Sequence, residues 1–481
     1  MRGGPLVVIG DVLLDVDIEG SAERLTPDAP VPVVDCRRED HRAGGAGLAA
    51  ALAARLTGRD VVLITALGDD RSGRRVRELL AGHAEIVSLP MEGATPSKIR
   101  VRAAGQSLVR LDTGDGHAAD GPVDPRVATV IERAGAVLVS DYGRGVAAHP
   151  KVRRLLAGLS GGTPIVWDPH PRGAAPLSGT RLVTPNRAEA HAFAGDEPTA
   201  GDGAFAQAAR DAATLVARWQ VGGVAVTLGE RGALLSVGDG VPFVAPAPET
   251  GAGPQSDTCG AGDCFAAAAA HVLRAGGLVT EAVTEAVRYA SAFVAAGGAG
   301  SVSGTTVDTG PVTPRQAPGA SAEDGPWAIV RRVRERGGRV VATGGCFDLL
   351  HAGHVSMLRE ARRLGDCLVV CVNSDASVRA LKGPDRPVVP ASDRARVLSA
   401  LECVDAVAIF DELTPVELLE RLRPDVWVKG ADYSGGDLVE ADVVRRHGGE
   451  VVLLPYLDGR STSRLVARVR ETASTLGGET R

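Results

Sequence analysis

The chain has 481 residues, of which 44% are apolar, and its 53 basic and 59 acidic residues leave a formal net charge of −6. This length exceeds that of one ordinary domain, so we expect two or three domains, each large enough for its own core. The basic residues are dispersed along the chain, which argues against a nucleic-acid or acidic-membrane surface.

No apolar run approaches the roughly eighteen residues that a membrane span needs, and the first apolar segment, residues 6–9, is too short for the core of a signal peptide. The seven cysteines contain no Cys-x-x-Cys pair, so a disulfide framework is not expected. We therefore predict a cytoplasmic protein. The 61 glycines and the 3% aromatic content fit an Ala/Val/Leu-rich α/β protein with many strand-to-helix turns.

Two acids follow the first predicted strand, residues 6–9, at Asp11 and Asp15. Each carboxylate can accept hydrogen bonds from hydroxyl groups of a polyol, although acids in loops are more often simply solvated. Gly44 and Gly45 then open an Ala/Leu-rich segment that predicts a helix to about residue 56.

Residues 97–102 and 106–111 alternate apolar and polar side chains, which predicts a two-stranded β flap. Lys98 and Arg100 in the first of these strands could face a sugar phosphate, and a solvated strand face would explain them equally well. Predicted strands 136–140 and 164–167 then end at Asp141 and Asp168. Polar residues at the carboxyl ends of strands are typical of ligand sites in open α/β sheets.

The key stretch of the first half is residues 257–265, DTCGAGDCF, which leads into a predicted helix over residues 266–274. Small residues at Gly260, Ala261 and Gly262 leave backbone N–H groups free at a helix N-terminus, where they can hold anionic oxygens. Asp263 can take a proton from an attacking hydroxyl while those N–H groups stabilise a transferring phosphoryl group. A glycine-rich helix start with a capping Asp is the simpler alternative.

With these motifs, residues 6 to about 307 resemble the ribokinase (PfkB) family of sugar kinases. The resemblance implies that Asp263 is the catalytic base and that residues 260–262 form the anion hole. It also implies ATP with Mg²⁺ held through the phosphates, Glu189 as a candidate metal partner, and a monovalent cation such as K⁺. The implied sugar-binding residues are Asp11, Asp15, Gly44, Gly45, Lys98 and Arg100, and the implied ATP-binding residues are Asn186, Arg187, Ala188, Glu189, Gly229 and Gly232.

One position departs from the family pattern. The family usually has Asn shortly after the Gly-Gly pair, and this chain has Leu48 there. The leucine removes an expected hydrogen bond to the sugar, which leaves the substrate of the kinase half, and its activity, open at this point.

Residues 307–326 are rich in Pro, Gly, Ser and Thr and break the periodic pattern, which predicts a linker. We place the domain boundaries at residues 1–310 and 327–481, with the linker over residues 311–326.

The second half opens on residues 343–354, TGGCFDLLHAGH, between a predicted strand over 339–342 and a predicted amphipathic helix over 355–364. Gly344 and Gly345 allow the backbone to approach a ligand closely, and a helix N-terminus favours phosphate. His351 and His354 can donate hydrogen bonds to oxygens of a nucleoside triphosphate as charge develops there. A metal-binding or helix-capping pair of histidines is the alternative.

This pattern resembles the nucleotidyltransferase family that includes cytidylyltransferases and adenylyltransferases. The resemblance implies that His351 and His354 stabilise the transition state, that Lys382 neutralises charge, and that Asp348 braces the loop. Residues 461–463 would either cap the last helix or complete the phosphate site. The implied nucleotide-binding residues are Thr343, Gly344, Gly345, Cys346, Phe347, Lys429, Gly430, Asp432, Ser461, Thr462 and Ser463.

The order of kinase, linker and transferase resembles, over nearly the full chain, the family of bifunctional heptose 7-phosphate kinases and heptose 1-phosphate adenylyltransferases. The implied fold is a ribokinase-like α/β domain with a small β flap, followed by a smaller Rossmann-like nucleotidyltransferase α/β domain. The implied reactions are phosphorylation of D-glycero-β-D-manno-heptose 7-phosphate at O1 and transfer of AMP from ATP to heptose 1-phosphate. The resemblance also suggests self-association, as a homodimer or larger homo-oligomer, through the flap at residues 97–111.

Two alternatives stay open from the sequence. The fusion could act on a different sugar phosphate, for which Leu48 is the support. The kinase half could instead be a non-catalytic module that binds a sugar phosphate beside an active transferase, although Asp263 in its loop argues against this reading.

Overall fold

The computed structural model describes residues 3–26, 29–103, 106–159, 162–195, 204–238, 240–248, 257–303, 326–430 and 439–454. The predicted linker lies outside these ranges except for its last residue, so its boundaries stay a prediction. Within the ranges described, no helix has the length and apolar character needed to cross a bilayer.

The first half alternates strands and helices, with two 3-10 turns at Gly229–Arg231 and Gly298–Ser303. Its strands and α-helices in chain order are β1 (Leu6–Gly10), β2 (Val12–Thr26), β3 (Ala29–Gly45), α1 (Ala46–Thr57), β4 (Val61–Ala66), α2 (Arg71–Leu80), β5 (Glu85–Leu89), β6 (Met91–Glu92), β7 (Ser97–Ala103), β8 (Gln106–Thr113), β9 (His117–Ala118), α3 (Arg126–Glu132), β10 (Ala136–Ser140), α4 (Pro150–Ala157), β11 (Ile165–Asp168), β12 (Leu182–Val183), α5 (Arg187–Ala194), α6 (Ala204–Trp219), β13 (Val224–Thr227), β14 (Ala233–Ser236), β15 (Phe243–Ala245), α7 (Ala261–Arg274) and α8 (Val279–Ala295).

The second half repeats the alternation on a smaller scale. Its elements are α9 (Pro326–Glu335), β16 (Val340–Gly345), α10 (Ala352–Arg362), β17 (Cys367–Asn373), α11 (Asp375–Lys382), α12 (Ala391–Ser399), β18 (Ala406–Phe410), α13 (Val416–Leu422), β19 (Val426–Gly430), α14 (Val439–Arg446) and β20 (Glu450–Leu454).

The main sheet has the strand order β18-β17-β16-β19-β20-β15-β14-β13-β12-β11-β10-β1-β4-β5. All of its pairs are parallel except the two that β14 makes with β13 and β15. Strands β1, β4, β10 and β17 are buried along their whole length, as expected for strands covered by helices on both faces. The predicted α/β class is confirmed.

The two faces of β1 show how the first half is layered. Leu6 and Val8 pack in the same apolar cluster as α1 and α7, whereas Val7 and Ile9 belong to the cluster on the other face. Successive side chains of a strand point to opposite faces, so a continuous apolar run supplies both layers. The packing of α7 on this sheet places the N-terminus of the helix near the carboxyl ends of the central strands.

The sheets of the two halves meet at the edges of β15 and β20. Phe243 pairs with Leu453, and the backbone N–H of Leu453 donates to the carbonyl of Pro242 at 3.1 Å. The Arg339 guanidinium of the second half lies 5.7 Å from the ring centroid of Phe205 in the first. The sequence predicted two separate domains and contained no sign of this shared edge.

The predicted two-stranded flap is wrong in its extent. Strands β7 and β8 pair with each other, but β2 and β3 extend the flap to a four-stranded sheet of order β3-β2-β7-β8. Asp15 therefore lies inside β2, opposite Arg42 and Lys98, and does not lie in a loop after β1. The prolines near residue 30 are compatible with an extended edge strand, which is the path that β3 takes.

The helix that carries the anion-hole motif begins earlier than predicted, at Ala261 and not at residue 266. Gly260 precedes it with φ +82°, a left-handed conformation that glycine adopts without strain. Gly262 and Asp263 therefore lie within the first helical turn.

Candidate active sites

The first candidate site is built around Asp263 in the first turn of α7. The residue is buried, and both of its carboxylate oxygens accept from the hydroxyl of Tyr142 at 3.1 Å. Burial raises the pKa of Asp263 to about 7, and the hydrogen bond from Tyr142 acts in the opposite direction. A carboxylate with a pKa near neutrality suits a general base, since its charged form is populated and its conjugate acid is not too strong.

The turn before Asp263 has room for a ligand at Gly262 but not at Gly260. A Cβ on Gly262 would meet nothing within 4 Å, whereas one on Gly260 would lie 2.6 Å from Cδ2 of Leu48. Leu48 is buried and packs directly beneath the glycine turn. The residue that departs from the kinase pattern thus forms part of the apolar support of the predicted anion hole.

Asp11 and Asp15, both predicted to bind sugar, have partners within the protein. The Asp11 carboxylate accepts from the backbone N–H groups of Tyr142, Arg144 and Val146 at 3.0, 3.0 and 3.1 Å, so it holds the loop after β10. The Asp15 carboxylate accepts from Arg100 at 2.7 Å. Their contacts with sugar stay predictions.

The glycine pair at the end of β3 lies against these two acids. A Cβ on Gly44 would be 2.3 Å from Oδ2 of Asp15, and one on Gly45 would be 2.5 Å from the carbonyl oxygen of Asp11. Lys98 of the flap brings its Nζ to 5.6 Å from the ring centroid of Tyr142. The structure therefore brings all six predicted sugar-binding residues to the same neighbourhood as Asp263.

The predicted ATP-binding residues follow β12 and β13, which lie two and three strands along the sheet from β10. Asn186 and Glu189 form a capping box at the start of α5, in which each side chain accepts from the other's backbone N–H, at 3.0 and 2.9 Å. Arg187 and Ala188 are exposed in the same turn. Gly229 and Gly232 adopt left-handed conformations, and both flank the 3-10 turn after β13.

Sequence reasoning missed the roles of Tyr142 and Asp168. Burial, and then the nearby Asp263 and Glu189, raise the pKa of Asp168 well above its usual range, and Thr184 donates to its carboxylate at 3.0 Å. The position of Asp168 at a strand's carboxyl end was the available signal. Tyr142 offered none, because its partner lies 121 residues away in the chain.

The second candidate site is built around two histidines at the start of α10. His351 is the N-cap residue, and its ring stacks on that of His354 with centroids 3.9 Å apart. Burial lowers the pKa of His354 to about 4, helped by the nearby His351 and Lys382. His354 is therefore neutral at pH 7 and can donate one hydrogen bond from its ring.

The loop before these histidines lies at the carboxyl ends of β16, β17 and β19. Thr343 donates to the carbonyl of Val428 at 2.9 Å, and a Cβ on Gly344 would be 2.6 Å from the Trp427 ring. Phe347 has φ +46° and its ring centroid lies 5.2 Å from that of His354. Gly345 and Cys346 complete this turn at the end of β16.

Asp348 braces the neighbouring loop. It pairs with the Arg386 guanidinium, and its Oδ1 accepts from the backbone N–H groups of Val388 and Val389 at 2.7 and 2.9 Å. Every polar contact of the buried carboxylate is thus structural, in agreement with the role expected from the sequence.

Arg394 is a site-forming residue that the sequence reasoning missed. Its side chain is 1% exposed and donates to the carbonyls of Val389, Cys346 and Asn373 at 2.9, 2.5 and 2.8 Å. The guanidinium also pairs with Asp375 at 2.7 Å. One buried cation therefore joins the glycine turn after β16 to the loops after β17 and α11.

The remaining predicted nucleotide-binding residues are only partly described. Lys429 and Gly430 end β19, and the Lys429 ammonium pairs with buried Glu440 at 3.0 Å. Lys382 is exposed at the end of α11. Asp432 and residues 461–463, the predicted Ser461, Thr462 and Ser463 site, lie outside the described residues.

Comparison with known proteins agrees with this arrangement. Residues 5–118 and 151–306 match the pfkB family carbohydrate kinase model, and residues 342–447 match the cytidylyltransferase-like model. The chain is 56% identical over 470 residues to the bifunctional protein HldE of Streptomyces coelicolor, covering 98% of this chain and 97% of that protein. The chain belongs to the HldE family.

A second relative, the bifunctional protein HldE of Azorhizobium caulinodans, is 40% identical over 482 residues, which cover 97% of this chain and 98% of that protein. Among solved structures, a ribokinase of Arabidopsis thaliana, complexed with ribose and ATP, matches 62% of this chain and 97% of its own at 22% identity, with a TM-score of 0.46.

Family membership confirms the predicted division of the chain's chemistry. The chain is a bifunctional enzyme with a ribokinase-like kinase half and a cytidylyltransferase-like adenylyltransferase half, and its substrates include ATP and a sugar phosphate. The roles of individual residues stay predictions.

Proposed function

We propose that this enzyme catalyses two steps in the formation of ADP-heptose. The kinase half transfers the γ-phosphate of ATP to O1 of D-glycero-β-D-manno-heptose 7-phosphate and so produces the 1,7-bisphosphate. After a separate phosphatase removes the 7-phosphate, the second half joins AMP from ATP to heptose 1-phosphate and releases pyrophosphate. The observation that carries this proposal is the likeness to HldE proteins over 98% of the chain, together with a buried base in one half and a histidine pair in the other.

In the kinase half, Asp263 accepts the proton of the sugar's O1 hydroxyl as the new O1–phosphorus bond forms and the bond to ADP breaks. The backbone N–H groups of Gly260 and Gly262 stabilise the charge on the transferring phosphoryl group, whereas that of Ala261, predicted as a third donor, already donates to the carbonyl of Thr258 at 3.1 Å. Tyr142 holds the carboxylate of the base in place through its hydroxyl.

In the transferase half, the chemistry needs no protein nucleophile. An oxygen of the sugar 1-phosphate attacks the α-phosphorus of ATP, the bond to the β-phosphate breaks, and pyrophosphate leaves. His351, His354 and Lys382 stabilise the charge that develops on the phosphate oxygens. The stacked rings at the N-terminus of α10 hold the two donors side by side for this purpose.

Magnesium is part of the proposal for both halves. Asp168 and Glu189 fit as partners in the kinase half, because the charge of Glu189 acts on Asp168 at close range and carboxylate oxygens suit this hard cation. Among the described residues, no cluster of three or more His, Cys, Asp or Glu side chains could hold a metal ion. The proposal has Mg²⁺ bound chiefly through the ATP phosphates. When bound, Mg²⁺ would neutralise phosphate charge.

A K⁺ requirement of the kinase half would appear as activation by KCl relative to tetramethylammonium chloride.

We also propose that the chain is a homo-oligomer that associates through the flap. Strand β8 is exposed along its whole length and carries Leu108, Val109 and Leu111, each more than 40% exposed. An apolar strand at the edge of a sheet is a ready template for pairing with a second copy.

The two alternatives are not favoured. A module that only binds a sugar phosphate has no need of a buried carboxylate poised near neutrality at an anion-hole helix, which is where Asp263 lies. The support for a different sugar was Leu48, and this side chain packs beneath Gly260 as part of the core.

Product analysis with ATP, Mg²⁺ and D-glycero-β-D-manno-heptose 7-phosphate tests the proposal, with and without a phosphatase, on the wild type and on Asp263→Asn. We expect bisphosphate from the wild type only, and ADP-heptose once phosphatase is present. We expect Asp263→Asn to keep the adenylyltransferase activity on supplied heptose 1-phosphate. Turnover of heptose 1-phosphate without any bisphosphate from the wild type would refute the kinase assignment.

A further inference from the structure

Two loops beside the kinase base are tied together more firmly than their positions in the chain suggest. Strands β10 and β11 are parallel neighbours, so the loops that follow them meet at one edge of the sheet. The Asp141 carboxylate accepts from the backbone N–H groups of Gly143 in the first loop and Ala174 in the second, both at 2.8 Å. A Cβ on Gly143 would be 3.0 Å from Cβ of Arg172. The second loop is therefore held against the first.

This contact brings basic side chains to Tyr142, the residue that holds the base. The His170 ring stacks on the Tyr142 ring with centroids 6.2 Å apart and an interplanar angle of 24°. Lys98 of the flap lies 5.6 Å from the same ring centroid. The Tyr142 side chain thus contacts Asp263 through its hydroxyl, while basic groups lie around its ring.

The positive charges of Lys98 and Arg172 both act on the ring of His170. The backbone N–H of Arg172 donates to Nδ1 of His170 at 3.2 Å, which leaves the ring proton of neutral His170 on Nε2 as a donor. Burial lowers the pKa of His170, and the positive charges of Arg172 and Lys98 lower it further, against an opposing effect of Asp11. Three donors with two positive charges therefore converge near the base.

Other basic residues of this region already have partners. Arg100 pairs with Asp15, and Arg144 donates to the carbonyls of Gly114 and Gly116. Among the described residues, no carboxylate forms an ion pair with Lys98 or Arg172. Lys98 and His170 are half-buried and Arg172 is exposed, so the group opens to solvent and can admit an anion.

We propose that Lys98, His170 and Arg172 bind the phosphate monoester that the sugar substrate already carries, at the end of the sugar remote from the attacked hydroxyl. This inference rests on the proposed kinase function and specifies its substrate class. Arg and Lys bind phosphate oxygens through charge-assisted hydrogen bonds, and a neutral His donates one more. Holding the remote phosphate fixes the sugar, so its reactive hydroxyl lies beside Asp263.

Steady-state kinetics of the full-length enzyme tests this assignment with Lys98→Ala, His170→Ala and Arg172→Ala. We expect Lys98→Ala and Arg172→Ala each to raise KM for heptose 7-phosphate by about 10- to 100-fold, the usual effect of losing a charged hydrogen-bond partner. The KM for ATP should stay within about twofold for both variants. Turnover of the same heptose without phosphate should hardly change in Arg172→Ala, whereas Lys98→Ala also removes a positive charge that lowers the pKa of Asp263. Arg172→Lys should recover part of the loss because it keeps the charge.

The matched control is Arg154→Ala, which removes an exposed arginine from α4 without touching the cluster. Its sugar KM should equal that of the wild type, and adenylyltransferase activity reports whether each variant is folded. An effect of Arg172→Ala on the KM for ATP alone, or equal losses with phosphorylated and unphosphorylated sugar, would overturn the assignment.

Calorimetric binding of heptose 7-phosphate, measured without ATP, separates this inference from the proposed function. In one outcome the wild type binds the sugar phosphate, Arg172→Ala binds it at least tenfold more weakly, and no bisphosphate forms. The phosphate site then stands and the kinase assignment fails. If bisphosphate forms and all three variants bind like the wild type, the kinase assignment stands and the phosphate site is refuted. No binding by the wild type would overturn the phosphate site.

Discussion

Asp263 accepts hydrogen bonds from the Tyr142 hydroxyl, and this contact opposes the effect of burial on how the base titrates. The Tyr142 hydroxyl favours the charged carboxylate, while burial favours the neutral acid and raises the pKa to about 7. Since only the carboxylate can accept a proton, the kinase rate should fall as pH drops through this pKa.

We predict that Tyr142→Phe moves the acid limb of the kinase kcat/KM profile to higher pH by about one unit, because the lost hydrogen bond no longer lowers the pKa of Asp263. At pH 6 the variant should be roughly tenfold slower than the wild type, and the two should converge at alkaline pH. Adenylyltransferase activity, measured on the same samples, should not change. An unshifted profile with uniformly lower rates would mean that Tyr142 only supports the fold.

At the scale of elements, the transferase site depends on loops that one helix holds together. Arg394, on α12, donates to carbonyls of the turn after β16 and the loop after β17, and Asp348 holds the loop at residues 386–389 from the other side. The glycine turn and histidine pair therefore have a fixed geometry before any nucleotide binds.

We predict that Arg394→Ala lowers the free energy of unfolding of the transferase half by about 3–5 kcal/mol, because it removes a buried cation, breaks the ion pair with Asp375 and takes a donor from three carbonyls. Denaturation followed by Trp fluorescence, with adenylyltransferase and kinase assays beside it, measures the effect. Arg396→Ala, an exposed position of the same helix, is the control and should change stability by less than about 0.5 kcal/mol. A loss of kinase activity as large as that of the transferase would contradict this local role.

At the scale of the whole molecule, the described residues form one 14-stranded sheet, the four-stranded flap and a two-stranded sheet of β6 and β9. The pairing of β15 with β20 joins the sheets of the two halves. Each of these two strands therefore covers what would otherwise be an exposed sheet edge of the other half. The flap stands apart from this sheet, and β8 is exposed at every position.

We predict that Val109→Asp converts the oligomer to a monomer, because a buried charge in an apolar interface loses its hydration without gaining a partner. Size-exclusion chromatography with light scattering measures the mass. The control is Leu278→Asp, at a 62% exposed position between α7 and α8, which should leave the mass unchanged. A wild type that is already monomeric at micromolar concentration would refute the flap interface.

Much of the predicted site was accessible from sequence because the groups predicted to bind phosphate are contiguous in the chain. The 260–263 turn and the 351–354 pair each need only a glycine-rich loop before a helix, and the structure places both at helix N-termini. Apart from Asp348, residues that act by holding others were not accessible. Asp11 looks like a sugar ligand in the sequence, yet its carboxylate accepts three backbone N–H groups about 131 to 135 residues away.

The sequence by itself determined the α/β class, through periodicity, and the order of kinase and transferase, through the resemblance of its motifs to two known families. The roles of the two predicted phosphate-binding turns stay predictions. Only the tertiary structure decided which side chains meet across the sheet. Tyr142 reaches Asp263, the His170 ring and Lys98 of the flap lie beside the Tyr142 ring, and Leu48 packs beneath Gly260, although these partners are distant in the chain. Such contacts arise where the loops after neighbouring parallel strands meet at one edge of the sheet, and where helices pack side by side on its face. No local sequence pattern predicts them.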